Sequence, residues 1–177
     1  MPQIDGTMDE LYSVSFHSDI GWFRPVSDGS NLIRLDWNQT GWTDHNHPDH
    51  VSRETKSQLE AYLSTKLQHF TVPLAPYGKS SQGAYWLEIM SKIPYGTVIS
   101  YKEFANLAGK PNASRAAGSS CATNPIPIIY PCHRVVRNDG NIGNYGGGSP
   151  HDSKHQDNLS RKAALIAFEK NSLENLT

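Results

Sequence analysis

Ser100-Tyr101-Lys102-Glu103-Phe104-Ala105-Asn106-Leu107-Ala108-Gly109-Lys110-Pro111-Asn112-Ala113-Ser114-Arg115-Ala116-Ala117-Gly118-Ser119-Ser120-Cys121-Ala122 decides how the chain is read. Phe104, Leu107 and Ala108 share one face of a helix over 101–108. Gly109 to Asn112 then turns the chain into a second helix over 113–122. Ser100 with Glu103 three residues on forms a capping-box pattern at the first helix start. The pair predicts a helix-turn-helix, although paired helices around a glycine turn also occur in ordinary cores. The second helix is built of small residues, with Arg115 as its only charged side chain. Small residues permit close approach to a partner, either a DNA groove or another helix. For Arg115 alone, a solvent-facing charge is the competing reading.

Immediately downstream, Asn124-Pro125-Ile126-Pro127-Ile128-Ile129-Tyr130-Pro131-Cys132-His133-Arg134-Val135 places a cysteine beside a histidine and an arginine after an apolar run. A free thiol has a pKa of roughly 8.5 and reacts as the thiolate, so a nearby base or cation is what makes it a useful nucleophile. The competing reading is a small buried hydrophobe. Cys121 and Cys132 are the only two cysteines. They are too few for a disulfide framework, and a reducing compartment leaves both as thiols, with a Cys121–Cys132 bridge as the structural alternative.

Further out, Leu11–Phe16, Gly21–Val26 and Leu32–Trp37 read as short strands separated by Ser-Asp, Asp-Gly and Ser-Asn turns, predicting an antiparallel sheet. Leu59, Leu63 and Leu67 predict a helix over 51–67 that covers it, and Trp86, Met90 and Ile93 predict another over 81–93. Pro73, Pro76 and Gly78 mark a boundary. The expected fold is therefore a small α/β N-terminal domain of sheet plus helix, residues 1–77, and a mainly helical C-terminal domain, residues 78–177, with a winged-helix-like helix-turn-helix.

Across 177 residues the hydrophobic content is 37% and the net charge is −1, which fits a soluble globular chain and argues against binding polyanions through overall charge. The cations cluster locally: between Phe104 and Asn138 stand Lys110, Arg115, Arg134 and Arg137 with no Asp or Glu. No run approaches the roughly eighteen apolar residues of a membrane span, and the first residues lack a basic-then-apolar leader. These features predict a cytoplasmic protein. His45, His47 and His50 lie in an Asp- and Pro-containing segment without cysteine partners, which reads as a solvated loop and not a zinc site.

Several motifs together resemble the O6-alkylguanine-DNA alkyltransferases. They are Ile93-Pro94-Tyr95-Gly96, Ile99-Ser100-Tyr101, Arg115-Ala116-Ala117-Gly118, Asn124-Pro125, Pro131-Cys132-His133-Arg134-Val135 and Gly143-Asn144-Tyr145-Gly146-Gly147. The agreement runs from about Gln82 to Gly147, and Lys162 to Glu169 also fits. The resemblance implies direct reversal of DNA damage: irreversible, stoichiometric transfer of an alkyl group, such as methyl, from O6 of guanine or O4 of thymine to Cys132 after base flipping. Each molecule would act once, without a cofactor and with no metal, as a monomer on double-stranded DNA carrying the lesion.

By the same resemblance, Cys132 is the nucleophile, His133 the base acting through a bound water, and Glu169 the group that orients the imidazole. Tyr101 rotates the nucleotide and donates to the departing guanine, while Asn124 braces the turn before Cys132. Arg115 fills the space of the extruded base, and Ala116, Gly118 and Ser119 let its helix seat on DNA. Pro127, Val135, Tyr145 and Gly146 form the pocket, with the carbonyls of Cys132 and Val135 accepting from the guanine amine. Cys121 lies pocket-side with a mainly structural role expected.

The chain departs from the family pattern in having Ser81-Gln82 ahead of the Pro-Tyr-Gly motif and a longer segment over 148–160, which reads as a polar surface loop. His151 and His155 within it suggest at most a weak metal site. That insertion leaves Glu174 as a substitute for Glu169, although Lys162 and Glu169 keep the family's seven-residue separation. The N-terminal third is expected to be structural support.

Three other functions compete. A recognition protein without transfer would lack the cysteine that this chain keeps. A sequence-reading helix-turn-helix protein would need base-reading side chains that 113–122 does not supply. A cysteine hydrolase would turn over, whereas alkyl transfer stops at one equivalent. DNA binding is expected to be weakly sequence-dependent with a modest salt dependence, given so few cations.

Overall fold

The computed structural model describes residues 10–143, 145 and 155–176. Strands β1 (Tyr12–Ser13), β2 (Phe16–Ser18), β3 (Gly21–Ser27) and β4 (Leu32–Asn38) form an antiparallel sheet in which β3 pairs with all the others. The first apolar run is thus two short strands and not one, because both pair with successive parts of the longer β3. Along β4 the buried Leu35 and Trp37 alternate with the outward Arg34 and Asp36, the period-two pattern of a half-buried sheet. On the outer face Asp36 takes Arg24 at 3.0 Å and Arg34 at 2.8 Å. Such partly exposed pairs contribute about 0–1 kcal/mol.

Helix α1 (His50–Leu63) starts at a capping box between Asp49 and Ser52. It ends four residues before the expected Leu67, for a definite reason. Thr65 takes a left-handed φ of 64°, with Thr65 N–H donating to Tyr62 O at 3.0 Å and Lys66 N–H to Ala61 O at 2.8 Å. This is the paired hydrogen bonding of a Schellman stop, normally built on glycine, so a β-branched residue there is not a signal the sequence announces. Leu67 still packs on the core from the following turn.

Helix α2 (Ser81–Met90) leads through Pro94-Tyr95-Gly96 to the short strand β5 (Ile99–Ser100) and then to α3 (Tyr101–Leu107) and α4 (Ser114–Ala122), the expected helix pair. The capping box is present: Glu103 N–H donates to Ser100 Oγ at 3.1 Å, and Ser100 N–H to Glu103 at 2.6 Å. A 3-10 turn over Cys132–Arg134 follows, then β6 (Val135–Val136), parallel to β5.

Helix α5 (Gln156–Glu174) closes the fold. The polar segment read as a loop through Ser160 therefore becomes helix from Gln156, with the His155 ring capping it by accepting from Asp157 N–H at 3.3 Å. Residues 148–154, His151 among them, lie outside the described residues.

One hydrophobic core runs from the sheet to the C-terminal helices. Leu35 N–H of β4 donates to Pro125 O at 2.9 Å, the Trp37 ring meets Tyr145 edge-on at 6.1 Å, and Arg161 of α5 stacks over Trp37 at 4.9 Å. The sheet thus buttresses the segment that carries the cysteine.

Candidate functional site

The chain reaches Cys132 through two consecutive three-residue turns. Ile129 N–H donates to Pro127 O at 2.9 Å around Ile128, whose φ is 72°, and Cys132 N–H donates to Tyr130 O at 2.8 Å around Pro131 at φ −83°. The first is a γ-turn of the strained hand, and a buried isoleucine at positive φ is an outlier. Backbone strain of this kind is stored at about 1–3 kcal/mol only where the surroundings enforce it. Asn124 does much of the enforcing: its Nδ2 donates to Tyr130 O at 2.8 Å and its Oδ1 accepts from Ile126 N–H at 2.9 Å.

The same Nδ2 donates to Cys132 Sγ at 3.2 Å. Cys132 is fully buried, and burial raises its thiol above the ordinary range, opposed by Asn124, by the charge of Lys162 and by the backbone N–H groups at the head of the 3-10 turn. The resting group is a thiol whose surroundings stand ready to stabilise the thiolate. Cys121 sits on the inner face of α4, where burial pushes its thiol far up. Both cysteines are free, which removes the disulfide alternative.

His133, the next residue of the turn, bonds to helix α5. Its Nε2 lies 2.7 Å from Glu169 Oε1, a carboxylate partner that assigns the proton to Nε2 and leaves Nδ1 as the basic nitrogen. Nδ1 has no hydrogen-bond partner among the described residues. Burial lowers the proton affinity of His133, with Glu169 opposing, so the ring rests neutral.

Glu169 is held from several elements. Arg134 donates from Nε to Oε2 at 3.0 Å and from Nη2 to Oε1 at 2.8 Å, Tyr62 O–H to Oε1 at 2.8 Å, and Gly96 N–H to Oε2 at 3.1 Å. Burial alone would raise its carboxyl, but the hydrogen bonds and charges of His133 and Arg134 outweigh that and hold it well below the carboxylate range. Lys162 and Glu169 lie on the buried face of α5, where Lys162 Nζ donates to Ile142 O at 2.6 Å and stands 5.7 Å over the Tyr101 ring.

Gly96 has φ 76°, and a Cβ there would collide with the Leu173 side chain of α5. We expect Gly96→Ala to lower stability by about 1–3 kcal/mol through the left-handed backbone and the clash, read as a reduced urea midpoint.

Beside this buried network opens a cleft of about 600 Å³ lined by Tyr101, Arg115, Gly118, Arg137 and Gly143 among others. On α4, Arg115 and Ser119 are exposed and Ala116 and Gly118 half-buried, while Ala117, Ser120 and Cys121 face inward. Pro127, Val135 and Tyr145 are buried, and Val135 N–H already donates to Cys132 O. Gly146 lies outside the described residues.

The structure thus pairs Asn124 with Cys132 and Glu169 with the next residue, His133, on one 3-10 turn, with Tyr101 and Arg115 lining the cleft. Tyr62 and the bidentate role of Arg134 were not assigned from sequence; an arginine directly after His133 was the one available hint. The histidines 45, 47 and 50 form no metal cluster among the described residues, and His47 instead pairs with Glu10 at 2.8 Å and stacks on Tyr12.

Comparison with known proteins gives concordant results. A family model described as 6-O-methylguanine DNA methyltransferase, DNA binding domain, matches residues 83–171. The chain is 37% identical to a methylated-DNA–protein-cysteine methyltransferase of Mycobacterium leprae over 92% of its own length and 94% of the relative's. It is 43% identical to the methyltransferase of that name from Methanosarcina barkeri, over 68% of this chain and 70% of the other. A crystal structure of Mycobacterium tuberculosis OGT in complex with DNA superposes with a TM-score of 0.73 at 33% identity, covering 89% of this chain and 92% of that one. By identity, coverage and fold, the chain belongs to the methylated-DNA–protein-cysteine methyltransferase family.

Proposed function

We propose that this protein repairs DNA by direct reversal, binding double-stranded DNA and moving an alkyl group from O6 of guanine, or O4 of thymine, to Cys132. The observation that carries the assignment is the buried thiol at the head of a 3-10 turn, with Asn124 donating to it and a neutral His133 backed by Glu169 beside it. The reaction is an in-line displacement. Sγ bonds to the alkyl carbon as the carbon–O6 bond breaks, and the thiol proton passes through a water to His133 Nδ1. Tyr101 gives its proton to the departing base and is reprotonated from solvent, while His133 releases the thiol proton to solvent, so that overall the base gains one proton, the thiol loses one and the cysteine ends as a thioether. Nothing restores the thiol, so each molecule acts once.

For O6 to reach Sγ, the nucleotide must leave the stack. Arg115, exposed at the rim of the cleft, enters the vacated space, and Ala116, Gly118 and Ser119 permit that approach. Pro127, Val135 and Tyr145 wall the base pocket. Cys121, on the inner face of α4, has a packing role.

We further assign residues 78–177 as the DNA-binding and transfer domain and residues 1–77 as its support, acting as a monomer. No helix among the described residues is long and apolar enough to cross a membrane, and two free thiols suit the cytoplasm.

Two measurements test this reading. Protein challenged with a second equivalent of O6-methylguanine duplex after the first is consumed is expected to repair no more; continued repair would mean turnover, as in a hydrolase. Arg115→Ala is expected to slow repair about 10- to 100-fold, since unstacking costs a few kcal/mol and each 1.4 kcal/mol is tenfold. Its melting temperature should stay within about 1–2 °C, as for other exposed substitutions.

A further inference from the structure

We propose that Tyr62, on α1 of the N-terminal part, is a positioning residue for the transfer reaction, its hydroxyl holding the Glu169 carboxylate so that His133 remains the neutral base. The inference rests on the functional reading above. Tyr62 lies 107 residues before Glu169 and is wholly buried. Its hydroxyl donates at 2.8 Å to Oε1, the oxygen that also receives His133 Nε2 at 2.7 Å. The ring is fixed by Phe70 at 5.6 Å, Phe168 at 5.5 Å and Tyr95 at 6.0 Å, so the hydroxyl has a set direction.

The groups facing His133 define what this contact does. Glu169 and Lys162 come from α5, Arg134 and Cys132 from its own turn, Tyr62 from α1, and Tyr95 lies against Arg134 at 5.5 Å. Glu169 favours the imidazolium; burial, Arg134 and Lys162 disfavour it. A hydrogen bond from Tyr62 draws charge from Oε1 and weakens the hold of Glu169 on a protonated ring. Without it, His133 takes up a proton more readily and fails as a base at a higher pH. A residue that only filled space here would need no hydroxyl, since phenylalanine has nearly the same shape.

The test is the single-turnover methyl-transfer rate on an O6-methylguanine duplex between about pH 5 and pH 9, for the full chain and Tyr62→Phe. The expected result is an acid limb displaced upward by about 0.5–1 pH unit. Transfer on the acid limb then slows about 3- to 10-fold, while the alkaline plateau changes less than about twofold. An unmoved acid limb overturns the proposal whatever the variant's stability. Should Tyr62→Phe fail to fold, 3-fluorotyrosine placed at position 62 sharpens the donor and is expected to move the limb downward; no movement overturns the proposal equally. A wild-type protein that transferred no methyl group would instead refute the functional reading itself.

Discussion

Cys132→Ala is expected to abolish methyl transfer while leaving binding to lesion-bearing duplex within a few-fold of wild type. The substituted atom is the one that forms the new bond, and no other described side chain offers an equivalent. Cys121 is the only other sulfur nucleophile, and its burial on the inner face of α4 holds its thiol far above the range of useful ionisation. The remaining contacts of Asn124, to Tyr130 O and from Ile126 N–H, keep the turn in shape after the sulfur is lost. Transfer followed by mass gain, together with binding followed by anisotropy, separates chemistry from recognition. Residual transfer by Cys132→Ala would place the nucleophile elsewhere.

Glu169→Gln is the second large effect, and it acts on stability and rate together. Arg134 is 6% exposed and spends two of its donors on Glu169, so neutralising that carboxylate strands a buried guanidinium. Breaking a buried pair in this way costs about 3–5 kcal/mol. The pH dependence has a definite sign. The Glu169 carboxyl is held well below its unfolded value, so its contribution is complete above about pH 4.3 and is lost as the pH falls through the folded value. Urea unfolding is therefore expected to show the wild-type advantage in full at pH 7 and a narrowing difference below about pH 4. A difference that grew with acid would contradict the assignment of Glu169 as the ionised partner. Transfer by the variant should also fall, because the His133 Nε2–H loses its charged acceptor and the ring its fixed orientation.

What the sequence discloses is what local chemistry encodes. Ser100 and Glu103 announce the start of α3 because a capping box is complete within four residues, and the alternation of Leu35 and Trp37 with Arg34 and Asp36 marks a half-buried strand. The motifs around Cys132 carry the family, and with it the function, because many residue identities there are fixed in order and spacing. Long-range or atypical features stay hidden. Thr65 stops α1 and Ile128 centres a tight turn, both at positive φ where glycine would be the recognisable signal. Polar residues from Gln156 to Ser160 resemble a loop, and only the His155 cap and the buried stripe from Asn158 to Ser172 make them helix.

Tyr62 is the clearest case of what sequence order conceals. The helical face is read from Leu59, Leu63 and Leu67, and nothing near Tyr62 distinguishes a tyrosine that fills the core from one whose hydroxyl ends on the Glu169 carboxylate 107 residues later. The N-terminal part was expected to be support alone. It does support, through Leu35, Trp37 and the shared core, but it also places a donor on Glu169.

The most direct measurement is peptide mass mapping of the protein after reaction with an excess of duplex bearing O6-methylguanine. One added methyl group per chain is expected, carried by Cys132, with no further gain however much duplex is supplied. A methyl group on Cys121, or loss of O6-methylguanine beyond one equivalent without a modified cysteine, would contradict it.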